Sequence, residues 1–290
     1  MKYQYNSIAD IVQLSEENQL PFWEVVLAAE IEAYEITRKE AITMAQERLA
    51  IFSDSVKNGL KDLHKTQSGM SGGQASMLQS QEPKLLGPLA HKALMYALAV
   101  NEANAKMFRI VACPTAGSCG VMPGCIEAVA EVYEMGDDAR IAAFFTAAGI
   151  GKVITDTACV AGAVGGCQAE VGSATAMAAG AVVAMFGGTT LQIVNAMSLA
   201  LKNVLGLVCD PVAGLVEVPC VKRNGIYAVH ALTAAEMAMV GIESQIPADE
   251  IIQAMDNIGR ALPVALRETS EGGLAKTPTG IKIAERVKNL

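Results

Sequence analysis

The chain has 290 residues, of which 52% are hydrophobic and only 4% aromatic, so it can bury a sizeable core built from Ala, Val, Ile, Leu and Met. The formal net charge of -8, with lysines and arginines scattered along the chain, argues against nucleic acid as a partner. Seven cysteines without small-domain spacing and a start without a basic, apolar leader favour a reducing, cytoplasmic compartment over secretion.

The first half of the chain reads as helices separated by two loops rich in small and polar residues. Helical spacing of apolar residues extends over 8–62, and a loop rich in Ser, Gly and Pro follows at 64–88. A helix is predicted at His91–Phe108. The second loop, Cys113–Gly120, has the sequence CPTAGSCG and precedes a helix at Pro123–Tyr133, where a proline suits the first turn.

The second half contains Val171–Leu201, a stretch without any charged residue. Its length alone would allow a transmembrane span. We favour two buried helices, because Gly187 and Gly188 interrupt the stretch, Ala and Gly outnumber Leu and Ile, and no cluster of Lys and Arg flanks it. Helix is also predicted over 226–260, and a Gly-, Thr- and Pro-rich tail leads to a short basic helix at the end.

Few segments show the alternation typical of strands. The predicted fold is therefore mainly α, with buried small-residue helices and with Gly- and Pro-rich loops that supply the chemistry. We expect one catalytic domain over 1–290, with a helical N-terminal part at 1–60 and the active-site part at 61–290.

Two sets of three cysteines compete as metal ligands. Cys113, Cys119 and Cys125 are spaced six apart, whereas Cys167, Cys209 and Cys220 lie in backbone punctuated by Gly and Pro. Thiolates in irregular backbone suit a metal or an iron–sulfur cluster, because the sulfurs must converge on one point. Neither set contains a CxxC motif, and any single cysteine is more often a small buried hydrophobe. Spacing alone does not choose between the sets.

Four blocks together resemble one enzyme family. These are SGMSGGQA, AVNEANAKMFRIVACPTAGSCGVMPG, GCQAEVGSA and GLVCDPVAGLVEVPCVKRN. The sequence from about residue 60 onward is similar to the catalytic α chain of the iron–sulfur-dependent L-serine dehydratases.

The resemblance implies a largely helical enzyme that dehydrates L-serine to 2-aminoacrylate and on to pyruvate and ammonia without pyridoxal phosphate, in amino-acid degradation and gluconeogenesis. It implies that Cys167, Cys209 and Cys220 hold a [4Fe-4S] cluster whose fourth iron is open to the substrate hydroxyl. The chain begins in catalytic-type sequence and has no terminal cysteine. It therefore resembles the two-chain type, in which a separate β chain carries the regulatory domain, and we expect an oligomer.

Two loops are candidates for binding the substrate carboxylate, because glycines allow close backbone approach and hydroxyls add donors. Either could instead be an ordinary tight turn or helix cap. The candidate binding residues are Ser68, Ser71, Gly72, Gly73, Thr115, Gly117, Ser118 and Asn101. Glu102 and Asn104, beside Asn101, could hydrogen-bond the substrate or only order a loop.

The candidate base is His64, four residues before the first loop. His91 and His230 are the other histidines and could be packed in the core or exposed at the surface. Lys222, with Arg223, could hold the carboxylate or balance cluster charge, and both could equally belong to a solvated turn.

Two other functions remain open from the residues. A different iron–sulfur hydro-lyase would act on a hydroxy acid, although a diacid would call for more arginine than these loops supply. A helical storage or scaffold subunit would use the thiols structurally. No lysine stands in a convincing context for pyridoxal phosphate, although Lys65 and Lys276 are not excluded.

Overall fold

The computed structural model describes residues 2–290, and α-helices account for most of them. The helices are α1 (Ile8–Asn18), α2 (Phe22–Tyr34), α3 (Arg38–Lys61), α4 (Gln74–Gln79), α5 (Pro88–Ala105), α6 (Val121–Val132), α7 (Asp137–Thr157), α8 (Gly162–Gly165), α9 (Ser173–Met185), α10 (Thr190–Lys202), α11 (Cys220–Met239), α12 (Ala248–Ala261) and α13 (Pro278–Lys288). A π-helical turn, Gln168–Gly172, precedes α9. The prediction of a mainly α fold is confirmed.

The helical N-terminal region divides into three helices because capping residues start and stop them. Ser7 and Asp10 form a capping box at the start of α1, and Thr37 and Glu40 form another at the start of α3. Glu35 ends α2 in the left-handed conformation. Each cap satisfies backbone groups that a helix end would otherwise leave without partners.

Helix α9 lies at the centre of the molecule, and each of its residues is buried. Helices α6, α7, α10 and α11 pack around it. A Cβ on Gly180 would meet the side chain of Ile150, so the small residue lets α7 approach α9 closely. The prediction of two buried helices over 171–201 is confirmed for α9, whereas α10 is buried on one side only and leaves Leu191 exposed. Across residues 2–290, every helix is too short or too polar to cross a bilayer.

Helix α5 forms a second centre of packing against α3, α4, α6 and α11. A Cβ on Gly59 of α3 would overlap the backbone of Ala99, and a Cβ on Gly124 of α6 would lie 2.7 Å from the backbone nitrogen of Ala97. Close packing against both sides of α5 fixes the positions of the loops at its ends, which carry the candidate site.

Some predicted boundaries differ from the observed ones. The helical region predicted at 226–260 is two helices, because Gly241 adopts a positive φ of 90° and Pro247 precedes α12. The loop predicted at 64–88 contains the short helix α4. Cys220, expected in a loop, is the first residue of α11. Pro219 suits the position before it, because the backbone nitrogens at a helix start have no partner within the helix and a proline has no N–H to leave unpaired.

Candidate active site

Cys209 lies on an extended segment held by the C-terminal part of the chain. Its backbone nitrogen donates to the carbonyl of Leu266 at 2.9 Å, and the nitrogen of Glu268 donates to the carbonyl of Cys209 at 2.7 Å. Cys209 and Arg267 thereby form an isolated parallel bridge. A segment more than fifty residues away in sequence therefore fixes the direction of this thiol.

Cys167 immediately precedes the π-helical turn and is tied to the same segment. The nitrogen of Gln168 donates to the carbonyl of Leu207 at 3.0 Å, and the side-chain oxygen of Gln168 accepts from the nitrogen of Gly206 at 2.8 Å. These bonds place the backbone next to Cys167 against the backbone that leads to Cys209.

Cys167, Cys209 and Cys220 are free thiols with exposed fractions of 5%, 3% and 9%. Burial raises the pKa of Cys167 to about 11 and, together with the nearby Cys167 sulfur, that of Cys220 to about 12. Burial and the charges of Cys167, Glu170, Glu268 and Cys220 raise the pKa of Cys209. The three sulfurs are close enough to oppose each other's ionisation.

Arg223 counteracts part of that repulsion. Its positive charge lowers the pKa of Cys167 against the larger effect of burial. Its guanidinium donates to the carbonyl of Val208 at 2.9 Å and to Asp210 at 3.0 Å, so the charge is held in one orientation. Arg223 is the residue beside the thiols that can balance negative charge there.

This donor set fits an iron–sulfur cluster held by three cysteines. Thiolates are the usual ligands of such clusters, and a cationic group bound among them would remove the mutual repulsion of three buried sulfurs. Carboxylates stand at the edge of the site, since ligand atoms of Glu170, Cys209 and Glu268 lie within 4.8 Å of one another. Oxygen donors are therefore also within reach of a metal.

The competing set of cysteines does not converge in this way. The Cys125 thiol donates to the carbonyl of Ala228 at 3.3 Å, and burial alone raises its pKa. The Cys113 thiol faces the carbonyl of Val111 at 3.5 Å. Cys119 affects the pKa of Cys113, but neither affects that of Cys125.

The loop at 64–73 folds around a buried carboxylate. The hydroxyls of Thr66 and Ser68 donate to Glu217 at 2.6 and 2.8 Å, and Arg286 of α13 donates to the carbonyl of Ser68 at 2.9 Å. Gly72 has a φ of 109°, and a Cβ there would overlap the carbonyl oxygen of His64. Only glycine allows this compact turn.

The loop at 113–120 lies against the thiol segments through Glu170. The Thr115 hydroxyl donates to Glu170 at 2.8 Å, and the Glu170 carboxylate lies 3.9 Å from the sulfur of Cys209. The Gly117 carbonyl accepts from Asn224 at 2.8 Å and from Asn101 at 3.4 Å. Burial raises the pKa of Glu170, whereas the Thr115 hydroxyl opposes this. The Ser118 hydroxyl is buried and donates to the carbonyl of Cys113.

The three histidines differ in their surroundings. The His64 side chain is 94% exposed, and its Nδ1 lies 2.8 Å from a carboxylate oxygen of Asp62. His91 and His230 each place Nε2 near a backbone carbonyl, at 3.2 Å from Leu78 and 3.1 Å from Ala200. His64 differs from the other two because its ring contact is made by Nδ1, to a carboxylate and not to a backbone carbonyl.

Lys222 lies in the first turn of α11 within electrostatic range of Glu102, Glu217 and Lys65. Desolvation by the surrounding protein, more than any other effect, lowers its pKa. Lys65 donates to the carbonyl of Gly72 at 3.2 Å. The two lysines therefore bring positive charge to the side of the glycine loop.

Three carboxylates of the site, Glu170, Glu217 and Glu268, were not among the predicted site residues. Glu170 follows Cys167 by three positions, a spacing that places two side chains on one helical face, so the sequence did contain a signal for it. Glu217 stands between a glycine loop and a proline, and its partner Thr66 is 151 residues away. Nothing in the local sequence indicates that contact.

Comparisons with known proteins agree on one family. The family model described as serine dehydratase alpha chain matches residues 17–275. The probable L-serine dehydratase alpha chain of Bacillus subtilis (strain 168) is 46% identical over 286 residues, which cover 98% of this chain and 95% of the relative. The L-serine dehydratase alpha chain of Peptoniphilus asaccharolyticus is 40% identical and is covered to 96% on both sides.

A longer relative matches over part of its length. L-serine dehydratase 2 of Escherichia coli (strain K12) is 33% identical, with 94% of this chain and 62% of the relative covered. The matches extend across the thiol segments and both glycine loops, and the chain belongs to the serine dehydratase alpha chain family.

Proposed function

We propose that this chain is the catalytic α chain of an L-serine dehydratase. In the net reaction L-serine loses water to give 2-aminoacrylate, whose imine tautomer takes up water to give pyruvate and ammonia. The observation that carries this assignment is the meeting of three buried thiols with the hydroxyl- and glycine-rich loop at 113–120 through Glu170. The names of the similar proteins support the same substrate.

Cys167, Cys209 and Cys220 would hold a [4Fe-4S] cluster. When bound, such a cluster supplies a Lewis acid that favours departure of the serine hydroxyl. The protein's part is to position the three sulfurs, and the charge of Arg223 offsets part of the rise in the Cys167 pKa that burial causes. No pyridoxal phosphate is needed in this scheme.

The loops would bind the substrate carboxylate. Ser68, Ser71, Gly72 and Gly73 line one loop, and Thr115, Gly117, Ser118 and Asn101 line the other. The hydroxyls of Ser68, Thr115 and Ser118 already donate to Glu217, Glu170 and the Cys113 carbonyl, so they would position the loop backbone around the anion. The Ser71 hydroxyl is buried and has no hydrogen-bond partner among residues 2–290, so it is free to donate to a ligand. Lys222 adds positive charge beside the same loop and would strengthen its hold on an anion.

His64 would accept the proton from the substrate Cα. Asp62 engages Nδ1, which leaves Nε2 for the substrate. Because the ring is 94% exposed, efficient proton transfer at this position calls for a covering element that excludes water. A second, regulatory β chain could supply that cover, and the words "alpha chain" in the names of the relatives fit such a partner.

We further propose that 1–290 acts as one catalytic domain within an oligomer. The seven free cysteines favour a reducing compartment, which fits a cytoplasmic enzyme of amino-acid degradation.

The test is pyruvate release from L-serine by anaerobically purified protein, with and without a β chain, together with iron and sulfide analysis. We expect brown protein whose visible absorbance bleaches in air and whose loss of colour parallels loss of pyruvate release. Turnover of a hydroxy acid in place of serine would indicate a different hydro-lyase. Bound metal without turnover in the presence of the β chain would indicate a scaffold and refute the proposal.

A further inference from the structure

Glu102 of α5 is a buried carboxylate that the protein satisfies only in part. Its side chain is fully buried, and one oxygen accepts from the backbone nitrogen of Gln74 at 2.9 Å. The other oxygen, Oε2, has no hydrogen-bond partner among residues 2–290. Burying a carboxylate oxygen without a donor is costly, so this oxygen calls for a donor from outside the chain.

Further acceptors in the same region also have no partner within the described chain. Oε1 of Gln74 and Oδ1 of Asn101 are buried and unpaired. Gln74 touches Glu102 through its backbone, and Asn101 precedes Glu102 on α5. These three oxygens can only accept hydrogen bonds. A ligand that pairs with Oε2 of Glu102 must present a hydrogen-bond donor, and a primary ammonium offers three N–H donors together with a positive charge.

Positive and negative side chains lie on different sides of this region. Lys222 lies within electrostatic range of both Glu102 and Lys65, yet among residues 2–290 neither lysine donates a hydrogen bond to Oε2 of Glu102. The amine of Lys65 is instead directed to the carbonyl of Gly72 in the glycine loop. Positive charge therefore stands beside the loop and negative charge at Glu102, which matches the two ends of an amino-acid zwitterion.

We propose that Glu102 accepts the α-ammonium group of the substrate and thereby selects an amino acid over the corresponding hydroxy acid. This inference rests on the proposed deamination of L-serine and names the residue that reads its amino group. Glu102 is a binding residue in this scheme, and the backbone nitrogen of Gln74 holds its other carboxylate oxygen in place.

The experiment compares wild-type holoenzyme with Glu102→Gln, using L-serine as substrate and 3-hydroxypropanoate, which lacks the ammonium group, as a competitive inhibitor. A charge-assisted hydrogen bond to the ammonium predicts a rise of about 10- to 100-fold in KM for L-serine. The inhibition constant of 3-hydroxypropanoate should change by less than about twofold, because that ligand does not use the carboxylate. Glu102→Asp, which keeps the charge, should give an intermediate KM.

Glu127→Gln is the matched control. Glu127 is a partly buried carboxylate on α6, and its two oxygens accept from Ser53 and Arg140. The Glu127→Gln variant should leave KM and the inhibition constant near their wild-type values. Equal losses for serine and 3-hydroxypropanoate in Glu102→Gln would mean that Glu102 only supports the start of α4. An unchanged KM for serine would also overturn the proposal. Failure of the wild-type enzyme to deaminate serine would refute the proposed function before any variant is compared.

Discussion

Arg223 and Asp210 form an ion pair at 3.0 Å beside the thiols, with side-chain exposures of 15% and 5%. The second oxygen of Asp210 accepts from the backbone nitrogen of Leu274 at 2.8 Å. One buried pair therefore joins the first turn of α11, the Cys209 segment and the C-terminal part of the chain. Because Arg223 also acts on Cys167, fold stability and thiol electrostatics depend on the same guanidinium.

Arg223→Gln should lower the free energy of unfolding of the metal-free protein by about 3 kcal/mol, because Asp210 would remain as an unpaired buried charge. Arg223→Lys should lose less, since it keeps the charge but replaces the two separate nitrogens that donate to Val208 and Asp210 by a single nitrogen. Urea denaturation under reducing conditions, followed by circular dichroism, measures both effects. Adding Asp210→Asn to Arg223→Gln should restore part of the loss. A single variant as stable as the wild type would contradict this account of the pair.

Cys209→Ala should lose most of the iron and the visible absorbance of anaerobically reconstituted protein, because a three-thiol site loses one of its ligands. Cys125→Ala is the control, since the Cys125 thiol donates to a backbone carbonyl and burial alone raises its pKa. Iron and sulfide analysis decides the outcome. Loss of iron in Cys125→Ala with retention in Cys209→Ala would reverse the choice between the two cysteine sets.

The parts of the fold that were predictable carry local signals. The capping boxes at Ser7 and Thr37 can be read from the sequence, because each is a Ser or Thr three positions before an acidic residue. The absence of charged residues in the segment that forms α9 is enough to predict that this helix is buried. Helix starts and the central buried helices follow from such patterns.

The parts that were not predictable depend on contacts between distant segments. Glu217 gains its role from Thr66, which is 151 residues away, and Asp249 at the start of α12 accepts from the backbone nitrogen of Ile8, which is 241 residues away. The convergence of the three site thiols likewise requires the segment around Leu266. Sequence spacing does not contain these distances, so it left two cysteine sets in competition.

Gly72→Ala should weaken serine binding and lower stability by about 1–3 kcal/mol, because it combines a positive φ with an overlap of Cβ and the His64 carbonyl. Gly241→Ala is the matched control: Gly241 also has a positive φ, of 90°, but no atom lies within 4 Å of its added Cβ. It should therefore lose stability only through backbone strain and keep the wild-type KM. Steady-state kinetics and urea denaturation separate the two effects. Equal KM values in both variants would show that the glycine loop does not form part of the binding site.

Asp256 should make the stability of the protein depend on pH in the acidic range. The hydrogen bond from Arg260, at 2.6 Å, holds the pKa of the Asp256 carboxyl below its usual value. Its contribution is complete above the unfolded-state pKa of about 4 and is lost as the pH falls through the lower native pKa. The difference in unfolding free energy between wild type and Asp256→Asn should therefore shrink below about pH 4. A difference that stays constant through this range would contradict the linkage. Arg260→Gln should reduce the pH dependence of stability, because it removes the main cause of the lowered Asp256 pKa.

His64→Ala should abolish serine turnover while iron content and visible absorbance stay at wild-type levels, because the imidazole is proposed to move a proton and lies outside the group of thiols. His91→Ala is the control, since the His91 ring contacts the carbonyl of Leu78 and should affect stability more than turnover. Asp62→Asn should lower turnover less than His64→Ala, because it disturbs only the orientation of the ring held by the contact at 2.8 Å. Pyruvate release measured with the β chain present decides between these outcomes. An active His64→Ala variant would remove this residue from the role of base and leave the proton to Lys222 or to a group on the second chain.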